Sequence, residues 1–225
     1  MNNCDQQHKL DWLIRAAESI NELRNDPSNK ALEQKASDSL ITAMIALIGD
    51  DPEREGLAMT PSRVRRSWSE LYAGYNSDNT PEKILSPVFS ETASEGHRLY
   101  DQIVLLRDIE FHSTCEHHML PFSGVVHVGY IPADGKAVGV SKLARLVEHF
   151  SRRLQIQERM TSEIAYAIDD VLNPQGVAVV VEAKHLCMGC RGVRKPGSTM
   201  LTSMMLGAFR HDPSSRAEFF SSIGK

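Results

Sequence analysis

The chain has 225 residues, 41% of them hydrophobic and 24% charged, which is enough to bury a core without disulfide staples. Its formal net charge of −4 removes any global electrostatic case for a nucleic-acid partner. No apolar run approaches the roughly 18 residues of a membrane span, and Met1-Asn2-Asn3-Cys4-Asp5 has no basic stretch leading into an apolar one, so neither a membrane partner nor a secretory signal is expected.

Leu10, Leu13, Ile14, Ala17, Ile20 and Leu23 recur at helical spacing and predict a helix over residues 8–25, broken by Asp26-Pro27-Ser28-Asn29. Leu32, Ala36, Leu40, Ala43, Met44 and Leu47 predict a second helix, ended by Asp50-Asp51-Pro52. Thr60-Pro61 opens a third, with Thr60 as its cap, Pro61 in the first helical position, and Val64, Trp68 and Leu71 on its apolar face. Residues 76–97 are polar and rich in turn formers. They are read as a connection between a helical region, 1–75, and a mixed domain, 98–225.

Beyond the connection the period changes. Ile103–Leu106 and Gly124–Ile131 are rich in β-branched residues and predict strands. A helix begins at Ser141 with Leu143, Leu146, Val147, Phe150 and Leu154 apolar, and a second runs over 157–172. Val177–Ala183 is a strand of valines, and a further strand pair is expected over 191–194 and 199–204. Strand, strand, helix, helix, strand, strand describes an α+β domain: an antiparallel sheet with two helices on one face.

The chemistry concentrates in two motifs. Cys115 and His118 lie three residues apart in Ser113-Thr114-Cys115-Glu116-His117-His118, and Cys187 lies in His185-Leu186-Cys187-Met188-Gly189-Cys190. Thiolate and imidazole are zinc donors, and a catalytic site keeps one of four positions for water. Cys115, His118 and Cys187 make such an open set, with His185 two residues before Cys187. On a strand, alternate residues share a face, so His185 would stand beside the metal as a proton donor or acceptor. Adding Cys190 makes a closed, structural four-ligand site, and spacing leaves both forms open. Clustering with histidine favours metal binding over disulfides, and with it a cytoplasmic setting.

Cations gather around these motifs. Arg63, Arg65 and Arg66 share one helical turn, Lys142 and Arg145 lie on the polar side of the helix from Ser141, and Arg191, Arg194 and Lys195 follow the second motif. The planar guanidinium fork suits phosphate, so together they suggest a polyphosphate ligand. Arg152-Arg153 reads as solvated charge. Glu158 reads as a carboxylate at a helix N-terminus. His112 and His127 read as structural, and His149 as a helix-surface residue.

Taken together, Ser113 to His118, Gly139-Val140-Ser141-Lys142-Leu143-x-Arg145, Gln155-x-Gln157-Glu158-Arg159 and His185-x-Cys187-x-x-x-Arg191-Gly192 resemble GTP cyclohydrolase I. Asp51-Pro52-x-Arg54-Glu55-Gly56-Leu57 through Thr60-Pro61-x-Arg63 resembles the helical segment of that family, and the likeness runs over residues 36–222. It implies hydrolysis of GTP at C8 of the guanine, loss of formate, an Amadori rearrangement of the ribose and closure to 7,8-dihydroneopterin triphosphate. It implies Zn2+ on Cys115, His118 and Cys187, His185 as the acid/base at purine N7, and His117 in later proton transfers. Glu158 would anchor guanine, Ser141 and Gln157 would contact ribose, and Arg63, Arg66, Lys142, Arg145 and Arg191 would hold the triphosphate. The implied fold is the tunnelling T-fold, assembled as a homodecamer of two stacked pentamers with sites between subunits. Cys190 departs from the apolar or small residue expected there.

Two other classes stay in view: a binding module organised by a closed zinc site, and a catalytically silent relative kept for assembly. His185, Glu158 and the dispersed cations favour the enzyme, because a structural site needs none of them.

Overall fold

The computed structural model describes residues 3–90 and 100–225, which fall into two compact units divided between Glu70 and Leu71. The first unit holds α1 (Asn3–Asn25), α2 (Lys30–Ile48) and nearly all of α3 (Thr60–Leu71). The Asn29 side chain accepts from the Ala31 and Leu32 N–H groups at 3.1 and 3.3 Å and so caps α2. Gly49, with φ of 105°, ends the same helix in a left-handed cap that a Cβ would strain. The helix α3 starts at Thr60 itself, one position earlier than expected, with Pro61 in the first turn, where a missing N–H costs no hydrogen bond. Among the described residues of α1 and α2 the buried ones are Ala16, Ser19, Ala36, Ile41, Ala43, Ile45 and Ala46, whereas Leu10, Leu13, Ile14, Leu40 and Met44 stay 40–56% exposed. Arg65 is tied to Asp38 at 2.8 Å within this unit.

The second unit opens with a 3-10 turn at Ala73–Tyr75, followed by α4 (Pro81–Leu85) and β1 (Val88–Ser90). The expected connection is thus structured up to residue 90, with Leu85 fully buried; its remainder, 91–97, and the first two residues of the mixed domain lie outside the described residues. Then come β2 (Val104–Cys115), β3 (Leu120–Ile131), β4 (Lys136–Val138), α5 (Val140–Ser151), β5 (Leu154–Gln155), α6 (Gln157–Leu172) and β6 (Gly176–His185). The chain finishes with α7 (Leu186–Gly189), β7 (Met200–Gly207), α8 (Ala208–His211) and α9 (Pro213–Ser222). A five-stranded sheet has the order β5-β2-β3-β6-β7, antiparallel except where β5 meets β2, and β1 pairs with β4 separately.

One sheet face carries Phe111, Phe122, Val126, Val128, Tyr130, Val177, Val179 and Val181 into a core closed by Leu143, Leu146 and Val147 of α5 and Met160, Ile164 and Ile168 of α6. This is the antiparallel sheet with two helices on one face that the T-fold reading expects. The other face is also covered. Ala178 and Val180 pack with Phe209, Phe219 and Ile223 from the C-terminal segment. That explains the uninterrupted apolar run Val177–Val181, since a strand buried on both sides has no polar alternation. Each such valine contributes roughly 1.5–3 kcal/mol of burial. Gly129 lies under this second layer, where a Cβ would come within 2.8 Å of the Phe219 ring.

Four expectations are corrected. The helix from Ser141 ends at Ser151, so Leu154 lies on β5 rather than on that helix. Residues 191–194 form no strand; the final strand is β7 alone. The strands β2 and β3 run to 12 residues each, longer than the stretches Ile103–Leu106 and Gly124–Ile131 expected of them. His149 is not a surface residue. It is half-buried, its Nε2 lies 2.6 Å from an Arg153 guanidinium nitrogen, and desolvation together with that cation pushes its pKa down to about 4. His127 is buried, while His112 is exposed.

The His149 arrangement has a sign. The folded chain holds the ring neutral, whereas the unfolded chain protonates it near 6.5. Its stabilising contribution is therefore present above about pH 6.5 and is lost as pH falls toward 4. Urea melts of the wild type and of His149→Gln across that range should show a steeper loss in the wild type. Parallel pH profiles would refute the assignment.

Candidate metal and catalytic site

Cys115 ends β2 and is buried, facing the helix-covered core. The turn to β3 is closed by the His118 and Met119 N–H groups, both donating to the Cys115 carbonyl at 3.3 and 2.8 Å. This turn swings His118 back, so that its Nδ1 lies 3.9 Å from Cys115 Sγ. Cys187 arrives from the far side of β3. Here the structure differs from the strand expected: β6 ends at His185 and the chain enters the single helical turn α7, so strand alternation does not govern Cys187. The turn nevertheless delivers it, and the ligand atoms of Cys115, His118 and Cys187 all lie within 4.8 Å of one another.

These donors fit a metal ion. Two sulfurs and one imidazole nitrogen form a soft to borderline set. Burial pushes the Cys187 thiol up, and the neighbouring Cys115 adds to it, so the bare pair resists the double thiolate that a divalent cation would stabilise. Cys190 is exposed and does not join the cluster among the described residues.

The loop is braced from β5 and α6. Glu116 N–H donates to the Gln155 carbonyl at 3.0 Å, and the Glu116 carboxylate pairs with Arg159, whose guanidinium holds it below the usual carboxylate range. Arg159 Nε also donates to Gln155 Oε1 at 3.0 Å. The role of Arg159 and Gln155 as struts was not legible in the motif that contains them.

His185 stands at the end of β6 opposite Phe122, and the two rings stack at 4.5 Å with an interplanar angle of 4°. Its Nε2 lies 2.9 Å from Gln157 Oε1. Burial lowers its pKa, and the charge of Glu158, in the first turn of α6, opposes that. Arg191 Nη1 lies 3.4 Å from His118 Nε2, which puts one expected phosphate ligand beside the donor cluster. His117 is exposed next to His118, with ring centroids 6.3 Å apart. Ser141, Lys142 and Arg145 occupy the first two turns of α5, and among the described residues no hydrogen bond joins them to the cluster. Arg63 and Arg66 are exposed on α3, in the other unit. Gln157 is 1% exposed, with its amide engaged inside the protein.

The family model described as GTP cyclohydrolase I matches residues 37–224. The chain belongs to the GTP cyclohydrolase I family. Curated relatives named GTP cyclohydrolase 1 agree. That of Dehalococcoides mccartyi (strain ATCC BAA-2266 / KCTC 15142 / 195) is 50% identical over 192 residues, covering 85% of this chain and 97% of the relative. That of Chlorobium chlorochromatii (strain CaD3) is 54% identical over 188 residues, 84% and 80% of the two chains. That of Corynebacterium glutamicum is 46% identical over 200 residues, 88% and 97%. A crystal structure of the archaeosine synthase QueF-Like in the apo form is a remoter likeness, at 19% identity, 47% and 94% coverage and a TM-score of 0.38. Membership of the GTP cyclohydrolase I family makes the chain an enzyme and speaks against the binding module. No described helix is long and apolar enough to cross a membrane.

Proposed function

We propose that the protein hydrolyses GTP at C8, releasing formate and forming 7,8-dihydroneopterin triphosphate, the first step toward pterins and tetrahydrofolate. The observation that carries this reading is the three-donor cluster of Cys115, His118 and Cys187 with Cys190 outside it and His185 two residues before Cys187 in the chain. Three protein donors leave one of four tetrahedral positions for a reactant, which a structural site would fill. Zn2+ held there supplies Lewis acidity and brings water ionisation into the neutral range.

The other roles belong to this chain's side chains. His185 exchanges a proton with purine N7 as C8 is attacked, and His117 serves the later proton transfers. The Glu158 carboxylate accepts from the donor edge of guanine. Ser141 contacts ribose. Arg63, Arg66, Lys142, Arg145 and Arg191 neutralise the triphosphate, and Arg191 has the firmest support because it already lies against His118. The catalytic domain is read as 98–225, joined through 76–97 to the helical region 1–75. The unpaired thiols Cys115, Cys187 and Cys190 fit a cytoplasmic setting.

Purified protein given GTP should release formate and a pterin that fluoresces after oxidation. ATP should be a poor substrate, because a site built to hydrogen-bond guanine is left unpaired by adenine. Equal turnover of the two nucleotides would remove Glu158 from base recognition, and no formate from GTP would remove the reaction.

Assembly completes the reading. The apolar residues left exposed on α1 and α2 suit a subunit covered by its neighbours, and five-fold closure would remove the free edge of β7. The oligomer expected is a homodecamer of two stacked pentamers. Sedimentation equilibrium should return about ten chain masses; a fully active monomer would contradict it.

A further inference from the structure

We propose that Gln157 is a positioning residue, not a ribose contact, and that it holds His185 as the Nε2–H tautomer, which makes Nδ1 the atom that exchanges protons with substrate. The inference rests on the function proposed for His185.

The argument is one of hydrogen-bond direction. Gln157 Nε2 lies 3.0 Å from the Val181 carbonyl oxygen and 3.1 Å from that of Met200. Carbonyl oxygens only accept, so the amide must turn its NH2 end toward them and cannot be flipped. The remaining neighbour fits the same sense. Thr161 Oγ1 donates to the Gln157 backbone carbonyl at 2.7 Å, so it can only accept from Thr202 Oγ1, 2.6 Å away. The Thr202 hydroxyl hydrogen is thereby used, so its oxygen, 3.1 Å from Gln157 Nε2, can only accept, as a third acceptor that shares the two amide hydrogens with the carbonyls.

With the amide nitrogen committed, Gln157 Oε1 faces His185 Nε2 at 2.9 Å. An amide oxygen cannot donate, so the hydrogen between them resides on His185 Nε2. The lone pair of the neutral ring is then on Nδ1. Stacking on Phe122 fixes the ring plane, and the hydrogen bond fixes its rotation within that plane. Gln157 is 1% exposed, which leaves it no surface to offer a ribose.

The test has a structural and a kinetic part. In zinc-loaded wild type at about pH 8.5, roughly two units above the ordinary imidazole pKa, 15N spectra of histidine-labelled protein should show His185 with a protonated Nε2 and a bare Nδ1. The signal is assigned by its disappearance in His185→Ala. A protonated Nδ1 overturns the proposal, and this measurement needs no variant of Gln157. In Gln157→Met, which keeps length and burial but replaces the amide oxygen by a thioether that accepts only weakly, the two tautomers should mix. There kcat for formate release should fall about tenfold or more with KM for GTP nearly unchanged, the pattern of a mispositioned acid/base. A raised KM with unchanged kcat would return Gln157 to substrate binding and sink the proposal. If wild type released no formate, the reading of the reaction would fail while the tautomer measurement still decided the hydrogen bond.

Discussion

Cys187→Ser is expected to lose its metal and all activity, while Cys190→Ser keeps about one zinc per chain and most of its turnover. Cys187 lies within the helical turn α7 and Cys190 caps its end, yet of the two only Cys187 has its sulfur within 4.8 Å of the Cys115 and His118 donors. A hydroxyl is a far weaker zinc donor than a thiolate, so the first variant leaves two ligands of three. The second removes an exposed thiol that the cluster does not use, and with it a partner for oxidation of Cys187. Metal analysis and formate release on both variants make the comparison. Equal zinc loss from the two would mean a closed four-ligand site and would end the hydrolytic reading.

The next largest effect belongs to His185. His185→Ala should retain zinc and lose turnover by roughly 100-fold or more, the usual scale for removing a general acid/base. The ring is held by Phe122 and Gln157, outside the three-donor cluster, so its removal takes no ligand from the metal. Loss of metal from this variant would make His185 a ligand and the geometry above wrong.

The donor cluster was legible because its residues obey local spacing. Cys115 and His118 are brought together by one turn, and Cys187 follows the end of a valine strand whose position is plain in the sequence. The helix pair was legible for a similar reason: Leu143, Leu146, Val147 and Phe150 repeat with the helical period and are all buried. What local pattern could not supply was anything set by distant pairing. The strand β2 was cut short because Arg107 and Asp108 interrupt its apolar residues, and the structure has an irregular register there, with Asp108 at a φ of 59°. The second covering layer, from Phe209 to Ile223, lacks a long periodic helix and went unread. The ribose contact expected of Gln157 came from the family resemblance, and nothing local in the sequence announces the hydrogen bonds its amide makes. Its actual partners, Val181, Met200 and Thr202, become neighbours only when β6 and β7 pair.

The three donors are split across the strand order in a way that bears on how the protein is made. Cys115 and His118 belong to the β2–β3 hairpin, and Cys187 follows β6, which pairs with the other side of β3. On the ribosome, therefore, a chain that has emerged as far as residue 172, with both covering helices complete, still presents only a two-donor stub. Firm metal capture must wait until β6 has emerged and closed against β3. A metal ion of the kind this donor set fits would thus be withheld from nascent and truncated chains and go to those that have built the middle of the sheet. Once bound, it would join the two edges of β3 and oppose their separation.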